Sequence, residues 1–249
     1  MVTVPIYLEK LLYLVYYEPM KLVLLAAGKG KRMGESSNHT PKPLLEYKGK
    51  SLIEHKLEDL PESIKEIIIV IGHLGEKIKQ AFGDVYLTKK GISIPIKYVE
   101  QQELLGTAHA LFQAKEHLID SPFIVLMGDD LYSPKDLDSI TKHHEETGEW
   151  SVILQNLDEP MSAGKCITDE RGNLIDIVED PEGIIPINKM YTGGCLLTPE
   201  IFDIAMVKLP NSVEFGLPQT FVSVSKERNI KAFDATFWKR ITSPEDLLE

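Results

Sequence analysis

Cysteine is scarce: the chain has two, Cys166 and Cys195, among 249 residues. There is no C-x-x-C and no cluster with zinc-ligand spacing, which excludes a zinc module and a disulfide-stapled scaffold. Two buried free thiols in a reducing cytosol are the reading that remains, so the expected location is cytoplasmic. Long apolar runs are also missing, and none approaches the length a membrane-spanning helix needs. No basic run occurs and the net charge is −11. A general nucleic-acid binder, which carries a basic patch, is therefore not expected. Internal repeats and low-complexity segments are absent too. The opening "MVTVPIYLEKLLYLVYYEP" lacks the basic start and small-residue cleavage site of a signal peptide. Residues 1–19 read either as a short docking segment or as an upstream start chosen in place of Met20. What is present is 43% hydrophobic, enough for one large domain with a real core.

Strand-like and helix-like stretches alternate from residue 21 to about 157. "KLVLLAA" (21–27) is a continuous apolar run, as in a buried parallel strand. "EIIIVIG" (66–72), "IPIKYVEQ" (94–101), "PFIVLMGDD" (122–130) and "WSVILQNL" (150–157) follow as strands. "SLIEHKLEDL" (51–60), "GEKIKQAF" (75–82), "GTAHALFQAKEHL" (106–118) and "SPKDLDSITKHHEE" (133–146) have helical spacing. This order predicts an α/β fold with an open, mixed and mostly parallel sheet between two helical layers. Ligands of such sheets bind beyond the carboxyl ends of the strands. After residue 160 the texture changes. "KCITDERGNLIDIVEDPEG" predicts a hairpin turning at "DERGN", "TGGCLL" and "NIKAFDAT" read as strands, and "PEIFDIAMVKL" and "SPEDLLE" as helices. Residues 20–157 and 158–249 are expected to form two walls of one crevice within a single domain.

Four stretches carry chemistry, and all but "TPKPLL" directly follow a predicted strand. "LLAAGKGKRMG" (24–34) holds three glycines and three basic residues. Its spacing fits neither the dinucleotide fingerprint nor the P-loop. Gly28 and Gly30 allow a backbone nest of N–H groups around phosphate, and Lys29, Lys31 and Arg32 add charge. The alternative is a turn with a solvated basic face. "TPKPLL" holds Lys42 between two prolines in stiff backbone, as stabilising a phosphoryl transition state requires. "GDD" places Asp129 and Asp130 at a strand end, where a carboxylate can hold Mg²⁺ or merely close a turn. "QQELLGTAHA" offers Gln101, whose amide can read a base edge. The pair His143 and His144 reads as surface histidines, because adjacent helical residues face different ways.

Together, in this order, these motifs resemble the sugar nucleotidyltransferases, over about residues 20–249. The carrying stretches are "LLAAGKGKRM", "PKPLL", "EQQELLGTAHAL", "GDD", "IVEDP" and "SPEDLL". The resemblance implies the Rossmann-like nucleotide-diphospho-sugar transferase fold. It implies that a nucleoside triphosphate, with UTP or dTTP favoured, is joined to a sugar-1-phosphate with Mg²⁺. By resemblance, Arg32 and Lys42 are catalytic and Asp129 holds the metal. Leu25, Ala26, Ala27, Gly28, Gly30, Lys31, Gln101, Gly106 and Thr107 surround the nucleotide. Gly164, Glu179, Tyr191 and Thr192 fall where the family meets the sugar. Neither nucleic acid nor membrane is an expected partner, and a homo-oligomer is possible.

Three positions depart from the pattern. Asp180 replaces a lysine that meets the sugar phosphate, Tyr191 an asparagine for the sugar, and Arg240 a second metal-binding aspartate. The nucleotide half is thus well kept and the acceptor half is altered. A nucleotide-binding regulator without transfer, or transfer to a non-sugar phosphate, stays open at this point. The chain closes right after "SPEDLLE", so the acyltransferase activity of longer relatives is not expected.

Overall fold

A computed structural model describes residues 19–30, 33, 39–158, 163–180 and 185–248. A ten-stranded sheet forms its centre. It contains β1 (Met20–Ala26), β4 (Ile64–Ile71), β5 (Val85–Leu87), β6 (Ser93–Glu100), β7 (Phe123–Met127) and β9 (Trp150–Asn156). It also contains β10 (Ala163–Thr168), β11 (Leu174–Asp180), β12 (Lys189–Leu197) and β13 (Ile230–Asp234). Two small ribbons complete the strands: β2 (Glu46–Tyr47) with β3 (Lys50–Ser51), and β8 (Leu131–Tyr132) with β14 (Trp238–Lys239).

β1 lies between β4 and β7, parallel to both, and β6 continues the parallel set beyond β4. β12 runs the other way. It pairs with β9 along one side, and on its other side first with β10 at Met190 and then with β7 from Cys195. β10 therefore takes over the lane that β7 leaves. The sheet is mixed, and only β5, β11 and β12 run against the direction of β1.

The apolar run of β1 is continuous because both sides of the sheet are covered. Val23, Leu25 and Ala27 join one core cluster with Ala108, Leu111 and Phe221. Leu22, Leu24 and Ala26 join a second with Ile53, Leu57 and Ile140. On the first face lie α3 (Thr107–Gln113) and α5 (Leu217–Val222); on the second lie α1 (Leu52–Leu57) and α4 (Pro134–Thr147). A further helix, α2 (Gly75–Phe82), buries Ile78 in the second cluster. α1 starts with a reciprocal capping box between Ser51 and Glu54. α4 opens on Pro134 and stops at Gly148 with φ +71, as the residue preferences at helix ends require.

Some expectations need correction. "PEIFDIAMVKL" forms only a 3₁₀ turn at Pro199–Asp203, and "SPEDLLE" one at Pro244–Leu247. Proline at the first turn starts each, and the first stops where the backbone turns extended at Ile204 (φ −91, ψ 134). His144 is buried, because it falls on the Leu137–Ile140–Thr141 stripe of α4, and its Nδ1 meets the Glu149 carbonyl at 2.9 Å. Cys166 and Cys195 are free and buried, and burial pushes both thiols up to about 12. Among the described residues no helix is long and apolar enough to cross a membrane.

Candidate active site

The carboxyl ends of β1, β4, β6 and β7 open along one edge, since all four strands run the same way. β1 delivers Ala27, Gly28 and Gly30; β6 delivers Gln101; β7 delivers Gly128, Asp129 and Asp130. Leu25, Ala26 and Ala27 are buried, so only their backbone is available to a ligand. No described residue lies within 4 Å of where a Cβ on Gly28 would lie, and Gly30 has φ +60. Arg32 and Lys31 lie outside the described residues.

Lys42 begins a 3₁₀ turn after Pro41. Its ammonium reaches Asp129 Oδ2 at 2.6 Å and also donates to the carbonyl of Ile241. The two halves of the chain thus meet at this nitrogen. Beneath it lie Asp130 and Lys56, a lysine that the motifs did not single out. Lys56 is buried on α1 and donates to the carbonyls of Leu52 at 2.8 Å and Gly128 at 3.1 Å. Burial lowers Lys56 to about 7, against the pull of Asp129 and Asp130, while Lys42 pushes the same way as burial. Asp130 is buried as well and accepts from the Ile241 N–H at 3.3 Å. Burial and then the charge of Asp129 push Asp130 up to about 7, although Lys42 and Lys56 oppose this.

The raised Asp130 has a consequence for stability. Between pH 4 and 7 the folded state keeps a proton that the unfolded chain has released. Its contribution is thus present at low pH and is lost as pH rises through the folded value. Asp130→Asn carries no such proton. We expect the melting temperature of this variant to gain on the wild type by roughly 10 °C from pH 4 to 7. A constant difference in thermal melts across that range would refute the assignment.

Gln101 is 5% exposed. Nε2 donates to the Gly106 carbonyl at 3.1 Å and lies 3.1 Å from His109 Nδ1, which accepts from it when the imidazole carries its proton on Nε2. In that tautomer Oε1 is left to accept. Gly106 adopts φ +95, ψ −178 ahead of α3. Thr107 faces the protein: its hydroxyl accepts the Leu217 N–H at 3.0 Å and so fixes the start of α5.

The acceptor-side residues divide between the two faces of the sheet. Gly164 lies opposite Glu179 across β10 and β11, and Glu179 Oε1 takes a hydrogen bond from Gln219 at 2.6 Å. Tyr191 shares that face and packs edge-on against Phe221, with its hydroxyl buried. Thr192 does not join them. It is 2% exposed on the other face, where its hydroxyl donates to the Ile153 carbonyl at 2.8 Å and accepts the Gly194 N–H at 3.2 Å. Strand alternation accounts for the split, and it makes Thr192 a core residue whose side chain is already committed. Arg240 precedes Ile241, whose carbonyl and N–H meet Lys42 and Asp130. Asp180 is buried on the face opposite Glu179, and its Oδ2 accepts the Ile185 N–H at 3.0 Å.

Comparison with known proteins adds to this geometry. A family model described as nucleotidyl transferase matches residues 21–249. The UTP–glucose-1-phosphate uridylyltransferase AglF of Haloferax volcanii is 30% identical, across 91% of this chain and 93% of its own length. The bifunctional protein GlmU of Methanocaldococcus jannaschii is 27% identical across 92% of this chain, which spans 53% of that protein. The crystal structure of UDP-glucose pyrophosphorylase complexed with UDP-glucose shares the fold. It superposes with a TM-score of 0.79 at 24% identity, covering 92% of this chain and 96% of its own.

Proposed function

The chain belongs to the nucleotidyl transferase family, and from that premise we propose that it joins UTP or dTTP to a sugar-1-phosphate. An oxygen of the sugar phosphate attacks the α-phosphorus. A new P–O bond forms, the bond to the β-phosphate oxygen breaks, and pyrophosphate leaves with that electron pair. The observation that carries the reading is the Lys42–Asp129 contact at 2.6 Å, at the same strand edge as Gln101 and the glycine loop. The ammonium of Lys42 is held by a main-chain carbonyl, so it is in place before the α-phosphoryl charge spreads. Arg32 is proposed to hold the departing phosphates.

The state of Gln101 favours the base. With His109 in the tautomer that carries its proton on Nε2, both amide protons are spent and the free oxygen accepts a hydrogen bond. Uracil and thymine present N3–H to such an oxygen; cytosine presents a lone pair there. The two favoured bases differ by one methyl, which a site of this kind separates weakly.

Mg²⁺ fits one residue of the site. Among the described residues no group of three or more His, Cys, Asp or Glu converges as a closed metal cage. Mg²⁺ needs only one or two carboxylates when substrate phosphates complete its shell. The carboxylate of Asp129 is one-third exposed and can serve in that way. When bound, the metal offsets phosphate charge. Lys42 then holds Asp129 from one side, and Lys56 holds the preceding carbonyl of Gly128 in place.

The test is pyrophosphate release with Mg²⁺, across five nucleoside triphosphates and a pool of sugar-1-phosphates, with the product identified by mass. Release with UTP or dTTP is expected. Release with CTP alone would overturn the reading of Gln101. No release with any pair, alongside tight binding of one nucleotide, would replace transfer by a regulatory role.

A further inference from the structure

We propose that Lys165 is the ligand for the phosphate of the acceptor, an inference that rests on the transfer reading above. Lys165 lies in β10 and is fully buried. Its ammonium nitrogen has no hydrogen-bond partner among the described residues. A buried charge without a partner is costly, and a bound anion removes that cost. The other buried lysines are each accounted for: Lys42 meets Asp129 and Ile241, and Lys56 meets two carbonyls.

Position says which anion. Lys165 pairs with Met190 of β12, and Met190 pairs with Gln155 of β9. Residues directly opposed across a sheet share a face. Gln155 therefore carries Lys165 to the side of Ile153, which packs with Tyr132, Ile53 and Leu57. That is the face of α1, over which the chain from Asp129 to Tyr132 runs. Tyr132 bonds back to the Thr192 carbonyl of β12 at 2.8 Å. Along the sheet, β10 occupies the lane beside β12 that β7 has just left. A Cβ on Gly193 would collide with Met127, so the end of β7 lies level with Gly193. Lys165 lies level with Met190, and β12 bulges between Tyr191 and Cys195, so the gap is less than the roughly 10 Å that three regular strand positions would span. Long side chains reaching from Lys42 and Lys165 can close most of that gap onto two neighbouring phosphates. Lys42 takes the donor's; Lys165 faces the acceptor's.

Asp180 gives the rival role. It lies diagonally from Lys165 on β11, on the same face, because Val178 opposes Lys165 and Asp180 opposes Ala163. If Lys165 served only to balance Asp180, removing both charges would restore the enzyme.

The experiment is steady-state kinetics of Lys165→Met, Lys165→Arg and Lys165→Met/Asp180→Asn, with the sugar-1-phosphate that the wild type turns over fastest. A charged hydrogen bond to phosphate predicts an acceptor KM raised about thirtyfold in Lys165→Met. The KM for the nucleoside triphosphate should stay within about twofold, Lys165→Arg should recover part of the loss, and Asp180→Asn should not. An unchanged acceptor KM, or full recovery in the double variant, overturns the assignment. If Lys165→Met does not fold, Lys165→Gln and Lys165→Arg carry the same comparison. A wild type inactive on every pair would sink the transfer reading instead. Lys165 is then read by the thermal upshift that inorganic phosphate gives the wild type. Loss of that upshift in the variant keeps the anion site, and an equal upshift removes it.

Discussion

Lys42→Ala should lower turnover about a thousandfold while leaving nucleotide affinity within about threefold. The lysine stands between a carboxylate and a main-chain carbonyl, and both hold its ammonium in one place. A charge fixed in advance costs no reorganisation when the α-phosphoryl group becomes more negative. That contribution exists in the transition state far more than in the ground state, so kcat falls and binding does not. The variant also leaves Asp129 beside the buried Asp130 with one cation fewer. Some loss of stability is expected, moderated because the side chain of Asp129 is about one-third exposed. Nucleotide affinity, measured by calorimetry, separates the two effects, since a misfolded variant would not bind. Turnover near the wild-type rate would end the role given to Lys42.

Much of the site was legible because parallel strands place their ends together. Knowing that "LLAAGKG", "EQQELLGT" and "GDD" each follow a strand was enough to bring Gly28, Gln101 and Asp129 to one edge. Lys42 could be found from its prolines. Lys56 was not found, because "SLIEHKLEDL" was read only for helical spacing. The signal was there: Lys56 follows Leu52 by four and Ile53 by three, so it lies on the buried stripe of α1. Lys165 gave less warning, since strand alternation allows either face until the partner strand is known. The pairing with Met190 decides it, and that is a contact between distant segments. The burial of the Thr192 side chain was hidden for the same reason. Its neighbour Tyr191 shares a face with Gly164 and Glu179, and one step along the strand turns Thr192 to the opposite core. The fold class was legible from alternation alone, but the lane shared by β7 and β10 was not, because no local pattern encodes which strand replaces another.

Gly106→Ala should be the most damaging small substitution in the nucleotide half, while Gly28→Ala should fold normally. Gly106 sits at φ +95 and ψ −178, a region that glycine alone occupies without strain. Space is also missing there. A Cβ would run into the carbonyl oxygen of Phe215 and come within 2.7 Å of its nitrogen. Both atoms are backbone, and both are engaged: Phe215 donates to the Leu105 carbonyl at 2.7 Å and accepts the Ala108 N–H at 3.0 Å. Neither can give way without opening the join between the halves. Strain and overpacking together cost roughly 3–5 kcal/mol, which corresponds to a melting temperature lower by about 10 °C. The Gly106 carbonyl also orients Gln101, so the variant that remains folded should lose discrimination between UTP and CTP. At Gly28 no described residue lies within 4 Å of the added carbon, so a methyl group there collides with none of them. Its cost, if the loop approaches phosphate closely, should be confined to nucleotide KM. Thermal melts and nucleotide titrations of the two variants separate these outcomes. Equal stability of Gly106→Ala and the wild type would show that the Phe215 backbone yields, and that the base pocket is not fixed by this contact.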